Sequence, residues 1–128
     1  MVIEETSYVE KAEKVIKKLN NNKDKKGRTV WITTSKIRNL LAMSADIYNE
    51  VLISDEKLSD EINARIDYLR IRFVYEAGRE RVVEDFVKTG EILQALQEIQ
   101  GSRKRFILFY HYIEALVAYH RFYKGKDL

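Results

Sequence analysis

Residues 62–87 read INARIDYLRIRFVYEAGRERVVEDFV, and the parsing of this stretch decides the fold. Ile62, Ile66, Leu69 and Phe73 recur at intervals of four, three and four, which places them on one face of an α-helix. The same line then meets Glu76 and Glu80, followed by Val83 and Val87. The periodicity therefore predicts one long helix that passes through Gly78 and stops at Gly90, acting as a C′ glycine. Either Ser54 or Ser59 can open it, and Asp55, Glu56, Asp60 and Glu61 suit the positive end of its dipole. Gly78 costs about 1 kcal/mol against alanine inside a helix. Two roles could offset that cost: a close helix crossing or kink, or a backbone surface kept low for an approaching RNA or protein.

The flanking segments follow the same period. Ser7 and Glu10 have capping-box spacing ahead of Tyr8, Ala12, Val15, Ile16 and Leu19. Residues 20–29, NNNKDKKGRT, read as a mobile basic loop. Thr33 can cap a second helix, with Ile32 and Ile37 as a hydrophobic staple, and Ile37, Leu40, Leu41, Ser44, Ile47, Tyr48 and Val51 form its inner face until about Ser54. A short helix over 91–100 buries Ile92, Leu93, Leu96 and Ile99. Ser102 then caps a last helix from about 103 to 123, with a basic tail at about 124–128. With no proline, nothing forbids long helices. The chain of 128 residues is expected to be a single all-α domain, a compact bundle of about five helices.

Composition narrows the function. The absence of cysteine removes disulfides, thiolate nucleophiles and thiolate metal sites, and fits a reducing interior. The N-terminal residues lack a basic start followed by an apolar core, so no secretory signal is expected and the cytoplasm is the expected location. The most apolar run, FILFYHYIEALVAY at 106–119, is too short to span a bilayer and carries His111 and Glu114, so it reads as a core helix. Charge is uneven along the chain. Residues 1–53 hold ten Lys/Arg against seven Asp/Glu, residues 54–101 seven against eleven, and residues 102–128 six against two. A basic patch is compatible with a total of only +3.

Catalytic tools are few. Two histidines nine residues apart have no metal-ligand spacing, and neither a phosphate loop nor a nucleophile elbow is present. His111 and Glu114, one turn apart, read as a structural pair, so neither catalytic residues nor metal or cofactor sites are expected. Arg65, Arg72 and Arg79 are more informative. They recur every seven residues, stay on one side of the third helix with about 20° of drift per step, and span about 21 Å. Such a row matches a polyanion, because the guanidinium fork grips phosphate oxygens at two points. Lys36 and Arg38 join it if the second and third helices pack side by side. The bland alternative is ion pairing at i,i+4 through Glu61–Arg65 and Arg72–Glu76. Tyr110, Tyr112, Tyr119, Phe122 and Tyr123 crowd the last helix; core packing is the default, and those that reach the surface could stack on bases or anchor a protein partner.

Three segments, TTSKIRNLL (33–41), YLRIRFVYEAGRE (68–80) and EALVAYHRFYKGKD (114–127), resemble in order and separation the signature segments of the small subunit of type III-A CRISPR–Cas effectors, the Csm complex. The resemblance covers nearly the whole chain from Tyr8 onward. It implies a small, all-helical, non-catalytic protein stacked head to tail in several copies. Its implied partners are other copies of itself, the backbone and large subunits, and the CRISPR RNA and target RNA whose groove the stack flanks. The basic members of the matching motifs become RNA-binding candidates: Lys36 and Arg38 in the first, Arg70, Arg72 and Arg79 in the second. Arg65 enters from spacing alone. One departure is Lys124, where the family commonly has the first of two glycines after a tyrosine. The competing expectation is a helical adaptor that makes only protein–protein contacts.

Overall fold

The computed structural model describes residues 1–124, in the order α1 (Tyr8–Asn20), α2 (Thr34–Leu52), α3 (Asp60–Arg79), α4 (Arg81–Thr89), α5 (Ile92–Gln97) and α6 (Arg103–Lys124). The all-α expectation is met, and no strand forms among the described residues. Of the basic tail expected at about 124–128, all but Lys124 lies outside the described residues. Helix α6 runs through the centre. Phe106, Phe109, Tyr112, Ile113, Leu116 and His120 are buried along it, against α1 and α2 on its flanks and α5 near its start. Helix α3 packs on α2, α4 and α5, and Phe73 meets Phe109 edge-on at 6.5 Å between ring centroids.

Three hydroxyl caps act as the sequence suggests. Thr33 Oγ1 accepts the Lys36 N–H (3.1 Å), Ser59 Oγ the Ile62 N–H (3.2 Å) and Ser102 Oγ the Arg105 N–H (3.3 Å). The capping box at Ser7 does not form. The Ser7 side chain makes no cap bond, and the Ser7 and Tyr8 N–H groups instead bond the Glu4 carbonyl in a turn that leads into α1. The basic loop is organised around Asp24, whose carboxylate accepts the Lys26 and Arg28 N–H groups and the Arg28 guanidinium.

The long third helix is in fact two. The chain breaks at Glu80, which is extended at φ −134°, ψ 127° and serves as the C-cap of α3 and the N-cap of α4. Packing explains the break. Phe73 and Phe86 are both fully buried, yet thirteen residues of continuous helix would put them about 140° apart around the axis. One extended residue lets Phe86 enter the core together with Val83 and Val87, which already follow the α3 line. Gly90 also differs from the expectation. Its φ of −77° is helical, and the left-handed conformation falls on Glu91 (φ 53°). Space explains the glycine there: an added Cβ would lie 3.0 Å from the Phe86 carbonyl oxygen and 3.2 Å from Ile92 Cγ1.

Candidate nucleic-acid interface

Helix α3 buries Ile62, Ile66, Leu69, Phe73 and Glu76, and this inner line fixes where every other residue of the helix faces. Arg65, Arg72 and Arg79 fall along the edge next to α2. Arg65 reaches across to Glu50 of α2 (2.5 Å), and Arg65 and Arg72 both line the groove between the two helices. Arg70 lies two residues from Arg72, about 200° around the axis. It lines a different cleft, of about 390 Å³, with Lys57, Asn63, Asp67 and Gln97. On α2, Lys36 and Arg38 are parted in the same way. Lys36 turns toward α3, while Arg38 lines a cleft with Val117, Ala118 and Arg121 of α6. The fold thus gathers Arg65, Arg72, Arg79 and Lys36 along one seam and puts Arg70 and Arg38 on two other surfaces.

Within that seam the charges are not equivalent. Lys36 Nζ lies 3.1 Å from Glu76 and 3.3 Å from Glu80, so it ties α2 to the end of α3 and to the break residue itself. Arg79 contacts the other Glu76 oxygen at 3.5 Å and sits over the Tyr75 ring, 5.6 Å from its centroid. The Glu76 residue is only 7% exposed. Its hydrogen bond from Lys36 holds its pKa below the usual carboxylate value against the opposing effect of burial, and the same bond raises Lys36. The i,i+4 pairs anticipated for this helix are replaced. Arg65 takes Glu50, Arg79 takes Glu76, and Arg72 has no ion-pair partner among the described residues.

Beside this edge, α3 carries an exposed apolar face: Tyr68, Ile71, Val74 and Tyr75 are each 50–59% exposed. Gly78 is exposed on it, and a Cβ there would meet nothing within 4 Å among the described residues, so none of the described helices crosses close to it. Tyr68 and Tyr75 are the functional candidates that reading by charge passes over. The signal lies in the sequence as an alternation, Arg65, Tyr68, Arg72, Tyr75, Arg79, in steps of three and four. The aromatics of α6 are otherwise engaged. Tyr110 stacks on Tyr48 at 4.0 Å, Tyr112 donates to the Gly90 carbonyl and Tyr123 donates to Glu13, while Phe122 remains exposed.

Both histidines are engaged within the chain. His111 Nδ1 lies 2.8 Å from Glu114 at the surface, and among the described residues no three His, Cys, Asp or Glu converge as metal ligands. His120 is fully buried beside Trp31 with Nε2 on the Ile32 carbonyl (2.8 Å), and burial lowers its pKa. No helix among the described residues is long and apolar enough to cross a membrane.

Comparison with known proteins agrees with the three signature segments. The model of the family described as Csm2 Type III-A matches residues 9–126. A "CRISPR system Cms protein Csm2" of Streptococcus thermophilus is 44% identical over 126 residues, covering 98% of each chain. Proteins of the same description from Mycobacterium tuberculosis and Enterococcus italicus are 37% and 35% identical, covering 99% and 91% of this chain and 99% and 89% of theirs. The chain belongs to the Csm2 family of type III-A CRISPR systems, the small-subunit family that residues 33–41, 68–80 and 114–127 resemble.

Proposed function

We propose that this protein is a non-catalytic small subunit of a cytoplasmic, RNA-guided type III-A effector, stacked in several copies beside the backbone and large subunits. In this role it contacts the backbones of the CRISPR RNA and target RNA without reading sequence. The observation that carries the reading is the edge of α3, where Arg65, Arg72 and Arg79 stand two turns apart and Arg72 has no intrachain carboxylate paired with it among the described residues. Phosphate contacts of this kind neutralise charge and set register, whereas sequence choice rests with guide–target pairing. Arg70 and Arg38, on their separate surfaces, would serve a second strand or a neighbouring subunit.

The test is binding of the purified chain to unrelated single-stranded RNAs across a salt series, beside an Arg65, Arg72, Arg79→Gln variant. Glutamine avoids setting new carboxylates against Glu50 and Glu76. Log affinity should fall with log salt by roughly 0.7 per neutralised phosphate. The variant should lose about 2 from the slope, roughly 0.7 for each of the three arginines, at unchanged helical content by circular dichroism.

A second reading, a purely protein-binding adaptor, is favoured by the exposed Tyr68, Ile71, Val74 and Tyr75. It takes over if the folded wild type binds no RNA at low salt.

A further inference from the structure

Between α2 and α3 lies an open groove of about 450 Å³, lined by Met43, Asp46, Ile47, Ala64, Arg65, Tyr68, Leu69 and Arg72. Its volume is that of a small-ligand site. Met43, Ile47 and Leu69 supply an apolar floor, Ile47 and Leu69 being buried parts of the core. Tyr68 forms a wall that is 59% exposed. Arg65 stands three residues before Tyr68 and Arg72 four residues after it, so both guanidinium groups belong to the turns that flank the phenol. Asp46 contributes a carboxylate that can accept from an amino group or a hydroxyl.

An apolar floor, an unstacked aromatic face, two cations a turn to either side and one acceptor are the complement of one chemical unit: an aromatic base joined to a phosphodiester. We infer that this groove is a nucleotide subsite, in which one base of a single-stranded RNA stacks on Tyr68 while its flanking phosphates lie on Arg65 and Arg72. The inference rests on the RNA reading of α3 and goes beyond it, because backbone contact alone needs no aromatic ring. Arg65 must share its guanidinium between Glu50 and the phosphate, whereas Arg72 can give its whole fork to it. Stacking of this kind is tolerant of sequence, since every base presents a π-face.

The same triad recurs one heptad on, as Arg72, Tyr75 and Arg79, but there the pattern is filled from within. Arg79 sits over the Tyr75 ring, 5.6 Å from its centroid, and contacts Glu76 at 3.5 Å, so an intrachain cation already lies against that ring. Of the two triads, the first has all three members on the groove, whereas Tyr75 and Arg79 lie outside its lining.

The experiment compares a fluorescent single-stranded RNA with an abasic strand of the same length and phosphate number. Both are titrated against the wild-type chain, Tyr68→Leu, Tyr68→Trp and Arg72→Gln. The wild type should prefer the base-bearing strand about tenfold. Tyr68→Leu should abolish that preference and keep the salt slope. Tyr68→Trp should retain the preference and show fluorescence quenched by the base-bearing strand only. Arg72→Gln should lower the slope by roughly 0.7 and leave the preference intact. Equal wild-type affinity for the two strands, with a normal salt slope, would sink the groove and leave the RNA reading standing. Failure of the wild type to bind either strand at low salt would remove both. A Tyr68→Leu chain that keeps the preference but loses self-association would assign the groove to a second copy instead.

Discussion

The two ends of the arginine row on α3 carry the same lettering and opposite physics. Arg65, Tyr68 and Arg72 border an open groove with one ion pair, to Glu50. Arg72, Tyr75 and Arg79 repeat the spacing, but Arg79 is drawn onto Tyr75 and Glu76, and Lys36 crosses from α2 to hold Glu76 and Glu80. The difference comes from what lies behind each segment. The first faces Met43, Asp46 and Ile47 of α2 across the groove. The second is backed by the chain break, where the charge of the buried Glu76 is compensated by Lys36. A periodic charge row is therefore not uniform: its first half borders a groove, and its second half lies beside the Lys36–Glu76–Glu80 ion pairs.

The sharpest way to break this comparison is to attack the break itself. Phe86→Ala should cost about 3–5 kcal/mol, because a fully buried ring on the far side of Glu80 is lost, whereas Tyr68→Leu in the open half should stay within about 0.5 kcal/mol. Urea denaturation of the two variants reads both values, and similar losses would mean that the halves are not distinct. Next in size is Glu76→Gln. The folded-state pKa of Glu76 lies below its ordinary value of 4.5, chiefly through Lys36. The stability this contributes is present above that ordinary value and is lost as pH falls through the depressed one. The variant should thus melt below the wild type at pH 7, and the gap should close as the pH drops well below 4.5. A gap that is independent of pH would show that Glu76 acts through packing and not through its charge.

How much of this is legible in the sequence follows from the kind of signal involved. The 4-3-4 line of Ile62, Ile66, Leu69 and Phe73 identifies α3 because helical periodicity is local, and Thr33, Ser59 and Ser102 can be read as caps for the same reason. The break at Glu80 is hidden because the residues that need it, Phe73 and Phe86, are each compatible with a helix, and only their shared core forces a turn. The charge of Lys36 is legible, but its engagement is not, since Glu76 lies 40 positions away. Arg70 and Arg72 look equivalent in the motif and are separated only by the rotation of the helix. Tyr68 and Tyr75 escape a reading of the sequence because aromatics default to the core, and their spacing against the arginines becomes informative once the inner face of α3 is known.

The finest test of the comparison lies in two glycines. An added Cβ at Gly78 meets open space, while at Gly90 it meets the Phe86 carbonyl oxygen and the buried Ile92. If glycine at 78 answers to nothing inside this chain, Gly78→Ala should gain about 0.5–1 kcal/mol from helix propensity alone. Gly90→Ala should instead lose about 1 kcal/mol, because the well-packed Ile92 has to give way. Thermal melts measure both signs. The informative case is Gly78→Ala in RNA binding. A chain that becomes more stable but binds RNA more weakly would locate the reason for the glycine outside the chain, in a ligand that needs the helix surface low at that point. Unchanged binding would confine RNA to the open half of α3 around Tyr68 and leave the exposed surface at Gly78 to a neighbouring protein.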